Sequence, residues 1–425
     1  MNILLVSTSD LEGGAARATN RLVQEKCGGD AAVVGVRATS GIHKASVGLR
    51  LTLDQLPLKR YPQREPGAFS PQWLPDRTIA QIKQLNPDVV NLHWVNNGYL
   101  QIESLAALAK PIVWTLHDMW AFTGGCHYSQ ECDRYTQSCG HCPQLASSRQ
   151  SDLSQRIWRR KRQVWEKLNL TIVTPSQWLA DCARKSSLFK DCRIKCIPNG
   201  IDTSVYRPID RHVARDILKL PQDKYLLLSG SLGGIMDKRK GFHFLQPALQ
   251  EISQSEWGDQ LELVVFGQSQ PSHPPNLGLK THYLGSLGDD YSLALLYSAV
   301  DIFVAPSVQD NLPNTVMESI ACGTPCIAFH IGGFPDMIEH QHNGYLAQAF
   351  NIKDLIDGII WILSDQERYQ KLAEHARAKA VKEYALSILA SHYHQVFTQV
   401  YSSDELFNST LQCNHLISLN VANYP

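Results

Sequence analysis

The sequence has no apolar run long enough to cross a membrane, since no window approaches roughly 18 uninterrupted apolar residues. It has no excess charge either, because 40 basic residues balance 40 acidic ones, which gives no reason to expect nucleic acid as a partner. No cationic leader with a long apolar stretch precedes the first predicted strand, so we do not expect secretion. That strand is not followed by Gly-x-Gly-x-x-Gly spacing, which argues against a dinucleotide-binding oxidoreductase.

Cysteine is present in an odd number, with 11 residues that mostly lie in apolar strand-like or helix-like segments. This distribution is typical of reduced thiols in the cytosol rather than of a disulfide scaffold. We therefore predict a cytoplasmic protein, with contact to the inner face of the membrane left open. The 425 residues exceed what one hydrophobic core usually holds, so two domains are expected.

Short apolar runs alternate with helical patterns along the chain, which is typical of doubly wound parallel sheets. The first series of predicted strands lies at 3–6, 32–36, 89–93, 112–116, 172–175 and 194–197. The second series lies at 225–229, 261–266, 283–284, 302–305 and 326–329. We predict an α/β protein with domains at 1–205 and 206–383, and a ligand site in the cleft between them, because such sheets bind ligands beyond the carboxyl ends of their strands.

The most informative stretch of the sequence is residues 306–325, directly after the predicted strand 302–305. It places two carboxylates, Asp310 and Glu318, at the two ends of a predicted loop-to-helix turn. A carboxylate at the position of Glu318 suits the two hydroxyls of a ribose, which leaves Asp310 for a sugar. The alternative is a buried strand and an amphipathic helix with incidental acids.

The start of this predicted helix is suited to an anion. Pro313 fits a first helical turn, because its missing N–H would be unpaired there anyway. The amides of Asn314 and Thr315 can then point at a negatively charged group, for which a diphosphate is the natural candidate.

This stretch resembles the donor site of the retaining glycosyltransferases of family 4. The family pattern is an acid, seven residues, a glutamate, an Ala-Cys-Gly-x-Pro segment and a later Gly-Gly-x-Pro-acid. Here it is found at 310–318, 321–328 and 332–336. The resemblance implies the GT-B fold, with two Rossmann-like doubly wound parallel-sheet domains facing a central cleft. It also implies that a helix at 384–401 crosses back to the first domain; the polar residues 402–425 are expected to be a disordered tail.

The resemblance implies a donor-binding set of Gly13, Gly14, Ser231, Arg239, Lys240, Asp310, Asn311, Leu312, Pro313, Asn314, Thr315 and Glu318. Lys240 would neutralise the donor diphosphate, and Arg239 would replace the arginine that the family usually carries where Ser231 stands. The first acid of the family is usually Glu, so Asp310 leaves the identity of the sugar open. The alternatives are a plain glycine turn at Gly13 and Gly14 and an exposed basic turn at Lys240.

His117 and Asp118 follow the predicted strand 112–116, where side chains emerge at the carboxyl edge of a sheet. The resemblance implies that His117 hydrogen-bonds the donor sugar or the acceptor and that Asp118 orients it. With Lys240 and Asp310 they form the implied catalytic set. A buried core histidine is the alternative for His117.

A cysteine-rich loop at 126–142 holds four cysteines: Cys126, Cys132, Cys139 and Cys142. They could bind one structural zinc ion, although only the last pair has the favoured Cys-x-x-Cys spacing; free or paired thiols are the alternative. Such a loop after His-Asp-Met-Trp resembles a subgroup of family 4 associated with exopolysaccharide or colanic-acid-type assembly. The resemblance implies that catalysis itself needs no metal or other cofactor.

The segment 157–167 is a basic helical pattern with two tryptophans. It could lie on anionic lipid and bring the protein to a lipid-linked acceptor. The alternative is a solvated helix face whose tryptophans point inward.

These features predict transfer of a sugar from an α-linked UDP- or GDP-sugar to a hydroxyl of a glycan, a lipid-linked or a small acceptor in polysaccharide synthesis, with the anomeric configuration kept. The resemblance implies attack on the same face, with the leaving phosphate taking the acceptor proton. The GT-B fold also occurs in nucleotide-sugar 2-epimerases, and a non-catalytic nucleotide-sugar-binding protein is a third reading.

Overall fold

The computed structural model describes residues 1–8, 13–24, 32–33, 41–230 and 237–420. The chain divides into two compact units. The first contains Met1–Pro175, Ala180–Ile197 and the chain from Ala390 onward, and the second contains Ser176–Leu179 and Pro198–Leu389.

The first unit is built on a parallel sheet of six strands in the order β2-β1-β3-β4-β5-β6. The strands are β1 Ile3–Val6, β2 Ala32–Val33, β3 Val89–Leu92, β4 Ile112–Thr115, β5 Leu170–Thr174 and β6 Arg193–Cys196. The helices that follow them in sequence are α1 Gly14–Gln24, α2 Gly41–Asp54, α3 Thr78–Leu85, α4 Leu153–Trp165 and α5 Gln177–Lys185. Strands β1, β3, β4 and β5 are buried along their whole length, as near-continuous apolar strands in a parallel sheet should be.

The second unit has its own parallel sheet of six strands, in the order β12-β11-β10-β7-β8-β9. The strands are β7 Tyr225–Gly230, β8 Leu261–Phe266, β9 Thr281–Tyr283, β10 Ile302–Ala305, β11 Cys326–Phe329 and β12 Gly344–Ala347. The helices are α6 Arg211–Leu218, α7 Phe242–Ile252, α8 Asp290–Ala299, α9 Asn314–Ala321, α10 Phe334–Met337, α11 Ile352–Leu363 and α12 Gln366–Glu383. The last helix, α13 Leu386–Asn420, begins in the second unit and belongs to the first unit from Ala390 onward.

The predicted α/β class with two doubly wound parallel sheets is confirmed. The strand β12 was missed, because its four residues begin with a glycine and include only one residue, Tyr345, that favours strands. In each unit the interior strands bring several loops to one edge of the sheet, at the carboxyl ends of the strands.

The expectation of a disordered tail is wrong for residues 402–420, which continue α13 as a helix. The physical reason is that the sequence has neither glycine nor proline between Leu386 and Asn420, so no residue interrupts the helix. No helix in the described ranges is long and apolar enough to cross a membrane.

Candidate active site

Three charged residues of the predicted donor site meet at the carboxyl edge of the second sheet. Lys240 Nζ lies 2.6 Å from Asp310 Oδ2, and Arg239 Nη1 lies 3.1 Å from the same oxygen. Arg239 also pairs with Asp237, whose carboxylate caps the short 3-10 turn Lys238–Lys240. The two cations predicted for a diphosphate are therefore held by carboxylates in this structure.

The cations control the ionisation of Asp310, whose side chain is 8% exposed. Burial by itself would raise the pKa of this carboxyl, but Lys240 and Arg239 and the hydrogen bond from the Asn311 amide hold the pKa at about 2. Asp310 is therefore a fixed negative charge at any physiological pH.

Helix α9 begins beside this cluster. Pro313 is the N-cap residue, one position earlier than the first-turn position that the sequence predicted, and its carbonyl accepts from the amides of Val316 and Met317. Asn314 and Thr315 are the first two residues of the helix. The helix dipole adds positive potential at this end.

An open pocket lies between the starts of α7 and α9. Its wall includes the ends of β7, β8 and β10, with Gly230, Phe266 and Ala305. The predicted donor residues in its wall are Lys240, Pro313 and Thr315. A ligand in this pocket would reach a cation and a helix start together.

Close backbone packing fixes the loop that carries Asp310. A β-carbon at Gly333 would lie 1.5 Å from the Asn311 carbonyl oxygen, and one at Gly332 would lie 2.3 Å from that of Asp310. Gly332 also has a positive φ of 54°. The Gly-Gly pair of the motif thus allows the chain after β11 to contact the loop before α9. Asn311 and Leu312 are buried in that loop, and Asn311 Oδ1 accepts from Ser176 Oγ at 2.6 Å.

Glu318 does not line the pocket and is only 2% exposed. Its Oε2 accepts a hydrogen bond from the hydroxyl of Tyr297 at 3.2 Å. Burial and the charge of Glu318 raise the pKa of Tyr297 well above its ordinary value, so the phenol stays a donor. Tyr297 lies on α8 and carries no motif of its own, so sequence patterns did not predict it.

In the first unit, His117 follows β4 and contacts a histidine that the sequence analysis missed. Its Nε2 lies 3.0 Å from Nδ1 of His93, and the rings stack with centroids 5.3 Å apart. Burial lowers the pKa of His117 to about 4, although the charge of Asp118 acts in the opposite direction. His93 could have been found from its position directly after β3, because β3 lies next to β4 in the sheet.

Asp118, which is expected to orient His117, forms hydrogen bonds with other groups. Asp118 Oδ2 accepts from His127 Nδ1 at 2.6 Å and from Trp94 Nε1 at 2.8 Å, and Oδ1 accepts from the amide of Trp120. The other ring nitrogen of His127 is bonded to Ser70 Oγ at 2.9 Å. Asp118 therefore anchors the start of the cysteine-rich loop, because His127 lies in that loop.

Gly13 and Gly14 lie at the start of α1, where the Gly13 carbonyl accepts from the Arg17 amide. Gly13 has a positive φ of 96°, which glycine adopts without strain. Ser231 lies outside the described residues, as do residues 9–12 of the loop before Gly13.

The four cysteines of the loop line one small pocket and are free thiols. Burial raises the pKa of Cys126 well above its ordinary value and that of Cys139 to about 12. Within the described part of the chain, no group of three or more His, Cys, Asp or Glu side chains is arranged to hold a metal ion. A structural zinc ion at these cysteines stays a prediction.

The basic helix pattern is α4, with Trp158 and Trp165 buried. Between them Lys161 is fully buried, donates to the carbonyls of Trp120 and Thr123, and lies 3.5 Å from the centroid of the Trp120 ring. Burial lowers the pKa of Lys161 well below its ordinary value. The tryptophans therefore serve the core of the first unit, as the alternative reading of this segment proposed.

Comparison with known proteins gives matches along most of the chain. Residues 13–205 match the model of Glycosyltransferase Family 4, and residues 224–365 match that of Glycosyl transferases group 1. WcaC of Escherichia coli (strain K12), named as a colanic acid biosynthesis glycosyl transferase, is 26% identical over 281 residues. That match covers 62% of this chain and 64% of the relative, so the chain spans less than two thirds of the relative's length.

Solved structures share the fold. Sucrose-phosphate synthase from Thermosynechococcus elongatus superposes with a TM-score of 0.68 at 18% identity, covering 95% of this chain and 99% of that one. HepE of Anabaena, solved in complex with UDP-glucose, gives a TM-score of 0.61 at 19% identity, covering 95% of this chain and 100% of that one. These likenesses agree with the GT-B fold that the motif implied. The two consecutive family matches together span more than half of the chain and show that it belongs to the family 4 (group 1) glycosyltransferases.

Proposed function

We propose that the protein transfers a sugar from an α-linked nucleoside-diphosphate sugar to a hydroxyl group, with the anomeric configuration retained. The observation that supports this best is the cluster of Arg239, Lys240 and Asp310 beside the start of α9 and an open pocket. Two fixed cations and a helix start can stabilise the negative charge that develops on a leaving diphosphate.

The ion pair with Asp310 leaves Lys240 able to bind phosphate. An ammonium group has three hydrogens, and one carboxylate contact uses one of them. Lys240 also lines the pocket, so its remaining hydrogens are available to a ligand there. Asp310, held ionised, is then the acceptor for a sugar hydroxyl, and Glu318 is the proposed acceptor for the ribose.

The proposed mechanism is attack on the same face of the sugar, in which the leaving phosphate takes the proton of the acceptor hydroxyl. His117 hydrogen-bonds the sugar or the acceptor, Gly13 and Gly14 face the phosphate, and Arg239 takes the place of the usual family arginine. A carboxylate nucleophile, which retention by two displacements requires, has no unambiguous candidate in the sequence.

The donor and the acceptor are proposed from the relatives. HepE was solved with UDP-glucose, and WcaC is assigned to colanic acid biosynthesis, which favours a UDP- or GDP-sugar donor and a glycan or lipid-linked acceptor. Catalysis would need no metal, and work at the inner face of the membrane stays a prediction.

The first experiment identifies the nucleotide. Thermal unfolding is followed with UDP, GDP and ADP, and the cognate nucleotide should raise the melting temperature because it binds only the folded protein. The corresponding nucleotide-sugars are then tested with and without acceptors, and the anomeric configuration of the product is read by NMR. Conversion of the donor without any acceptor would instead indicate an epimerase.

The second experiment tests the cluster. Lys240→Ala should lower turnover by about 100- to 1,000-fold, the usual effect of removing one group that stabilises a transition state. Lys280→Ala is the matched control, because Lys280 also pairs with a carboxylate but is 68% exposed and lies outside the pocket. Equal rates for Lys240→Ala and the wild type would exclude this donor site.

A further inference from the structure

The side chain of Asn91 has a defined orientation in the core of the first unit. Asn91 is fully buried on β3, and its Nδ2 donates to the carbonyl of Val113 at 2.9 Å and to Thr115 Oγ1 at 3.2 Å. A flipped amide would set two oxygens against each other at Val113, so the flip is excluded. The oxygen Oδ1 therefore faces His93.

This orientation decides which nitrogen of His93 carries the proton. Asn91 Oδ1 lies 2.9 Å from His93 Nε2 and can only accept, so His93 carries its proton on Nε2. His93 is 3% exposed, and burial together with the charge of His117 lowers its pKa well below the ordinary value. A neutral ring with its proton on Nε2 has an acceptor lone pair on Nδ1.

The bond between the two rings in turn decides which nitrogen of His117 carries a proton. Its Nε2 lies 3.0 Å from His93 Nδ1, which must accept, so His117 donates from Nε2. A neutral His117 then has its lone pair on Nδ1. This relay of hydrogen bonds from Asn91 through His93 to His117 thus transmits the amide orientation of Asn91 to the ring of His117.

We propose that Asn91 and His93 are positioning residues that fix His117 in the tautomer with Nε2 protonated, so that a sugar or acceptor hydroxyl that bonds to His117 Nδ1 must donate to it. This role of His117 rests on the proposed function, whereas the tautomer itself does not. Because His93 is a neutral partner, His117 stays neutral, in contrast to a histidine that is oriented by a carboxylate.

Further hydrogen bonds hold Thr115 and the backbone of His93 in place. Thr115 Oγ1, which accepts from Asn91, lies 2.9 Å from the hydroxyl of Tyr393 on α13. Trp114 Nε1 donates to the carbonyl of His93 at 3.3 Å. These bonds hold the backbone and the amide that the relay depends on.

The tautomer can be measured directly by long-range ¹H–¹⁵N NMR on the full chain labelled with ¹⁵N-histidine. The signals of His117 are those that disappear among the 16 histidines in the His117→Gln spectrum. We expect a protonated Nε2 and an unprotonated Nδ1 at neutral pH. A proton on Nδ1, or an average of two tautomers, in the wild-type spectrum would overturn the proposal without any further variant.

Two variants of His93 separate positioning from packing. Asn and Leu are similar in shape, but only His93→Asn keeps an acceptor near the place of Nδ1. We expect His93→Asn to keep the His117 tautomer, and His93→Leu to give a tautomer mixture and a kcat lower by about tenfold, with KM little changed. An unchanged His117 signal in His93→Leu would contradict the relay, and His375→Gln, a substitution in the second unit, is the control that should alter neither measurement.

The two proposals fail in different ways. A protein that transfers sugar from no donor, yet shows the expected His117 tautomer, would refute the proposed function and keep the relay. A protein that transfers sugar but carries the Nδ1 proton on His117 would refute the relay alone.

Discussion

Lys240 Nζ and Asp310 Oδ2 lie 2.6 Å apart, so the cation predicted for the phosphate and the acid predicted for the sugar form one ion pair before a ligand binds. The pair orders both side chains in advance, which reduces the conformational entropy that binding must overcome. It also ties the 3-10 turn before α7 to the loop before α9. Substitution of either residue should therefore affect the binding of both the diphosphate and the sugar of a donor.

The pair makes stability depend on pH in a defined window. The pKa of Asp310 is about 2 in the folded protein and about 3.8 when unfolded, so its contribution is fully present above pH about 4 and is lost as the pH falls through about 2. Asp310→Asn should lower the free energy of unfolding by about 2 kcal/mol at pH 6. Urea unfolding at several pH values should show this difference shrinking below pH 4, and a constant difference would contradict the assignment.

Glu318 and Tyr297 allow ribose binding to be separated from core stability. Glu318→Gln should weaken nucleotide binding by about 10- to 100-fold, since a charged acceptor is lost, while the shape is kept. Tyr297→Phe removes the buried partner of Glu318 and should cost about 1 kcal/mol of stability with little change in nucleotide affinity. Calorimetric titration of both variants checks this; equal affinity for Glu318→Gln and the wild type would remove Glu318 from the site.

Gly333 should be sensitive to the smallest substitution. The added methyl group of Gly333→Ala would lie 1.5 Å from the Asn311 carbonyl oxygen, so the loop before α9 must move. We expect a loss of about 1–3 kcal/mol in unfolding free energy and weaker nucleotide binding. Gly288→Ala is the matched control, because a methyl group there meets no atom of the described chain within 4 Å. Similar behaviour of the two variants would contradict the packing argument.

The cysteine-rich loop should resist alkylation. Burial raises the pKa of Cys142 to about 11 and that of Cys139 to about 12, so few thiolates exist at pH 8, whereas Cys196 is exposed. Labelling followed by mass spectrometry should therefore modify Cys196 first. Fast labelling of Cys139 and Cys142 would contradict the burial argument. Release of zinc on denaturation would support the structural zinc site.

Sequence patterns predicted the local parts of this site well. The strand β10, the turn and the start of α9 follow from an apolar run, a proline and a helical pattern that lie next to each other in the chain. The fold class was predictable for the same reason, because each strand and helix is a short local signal repeated many times.

The pairings across the chain could not be predicted. Lys240 and Asp310 are 70 positions apart, and His93 and His117 are 24 apart, so no spacing rule connects them. Asp118 was expected to act on His117 because the two are adjacent in sequence, although successive side chains of an extended segment point to opposite sides. Only the order of β3 and β4 in the sheet shows that His93 is the neighbour.

Helix α13 affects how the first unit folds during its synthesis. Tyr393, Phe397 and Val400 are buried, and the Tyr393 hydroxyl bonds to Thr115, in a unit that otherwise ends at Ile197. During synthesis the part of this unit up to Ile197 emerges from the ribosome first, and it lacks these side chains until Val400 has been translated. A truncated polypeptide ending at Ile197 would therefore expose an apolar groove, and supplying α13 in trans as a peptide is the natural way to repair it.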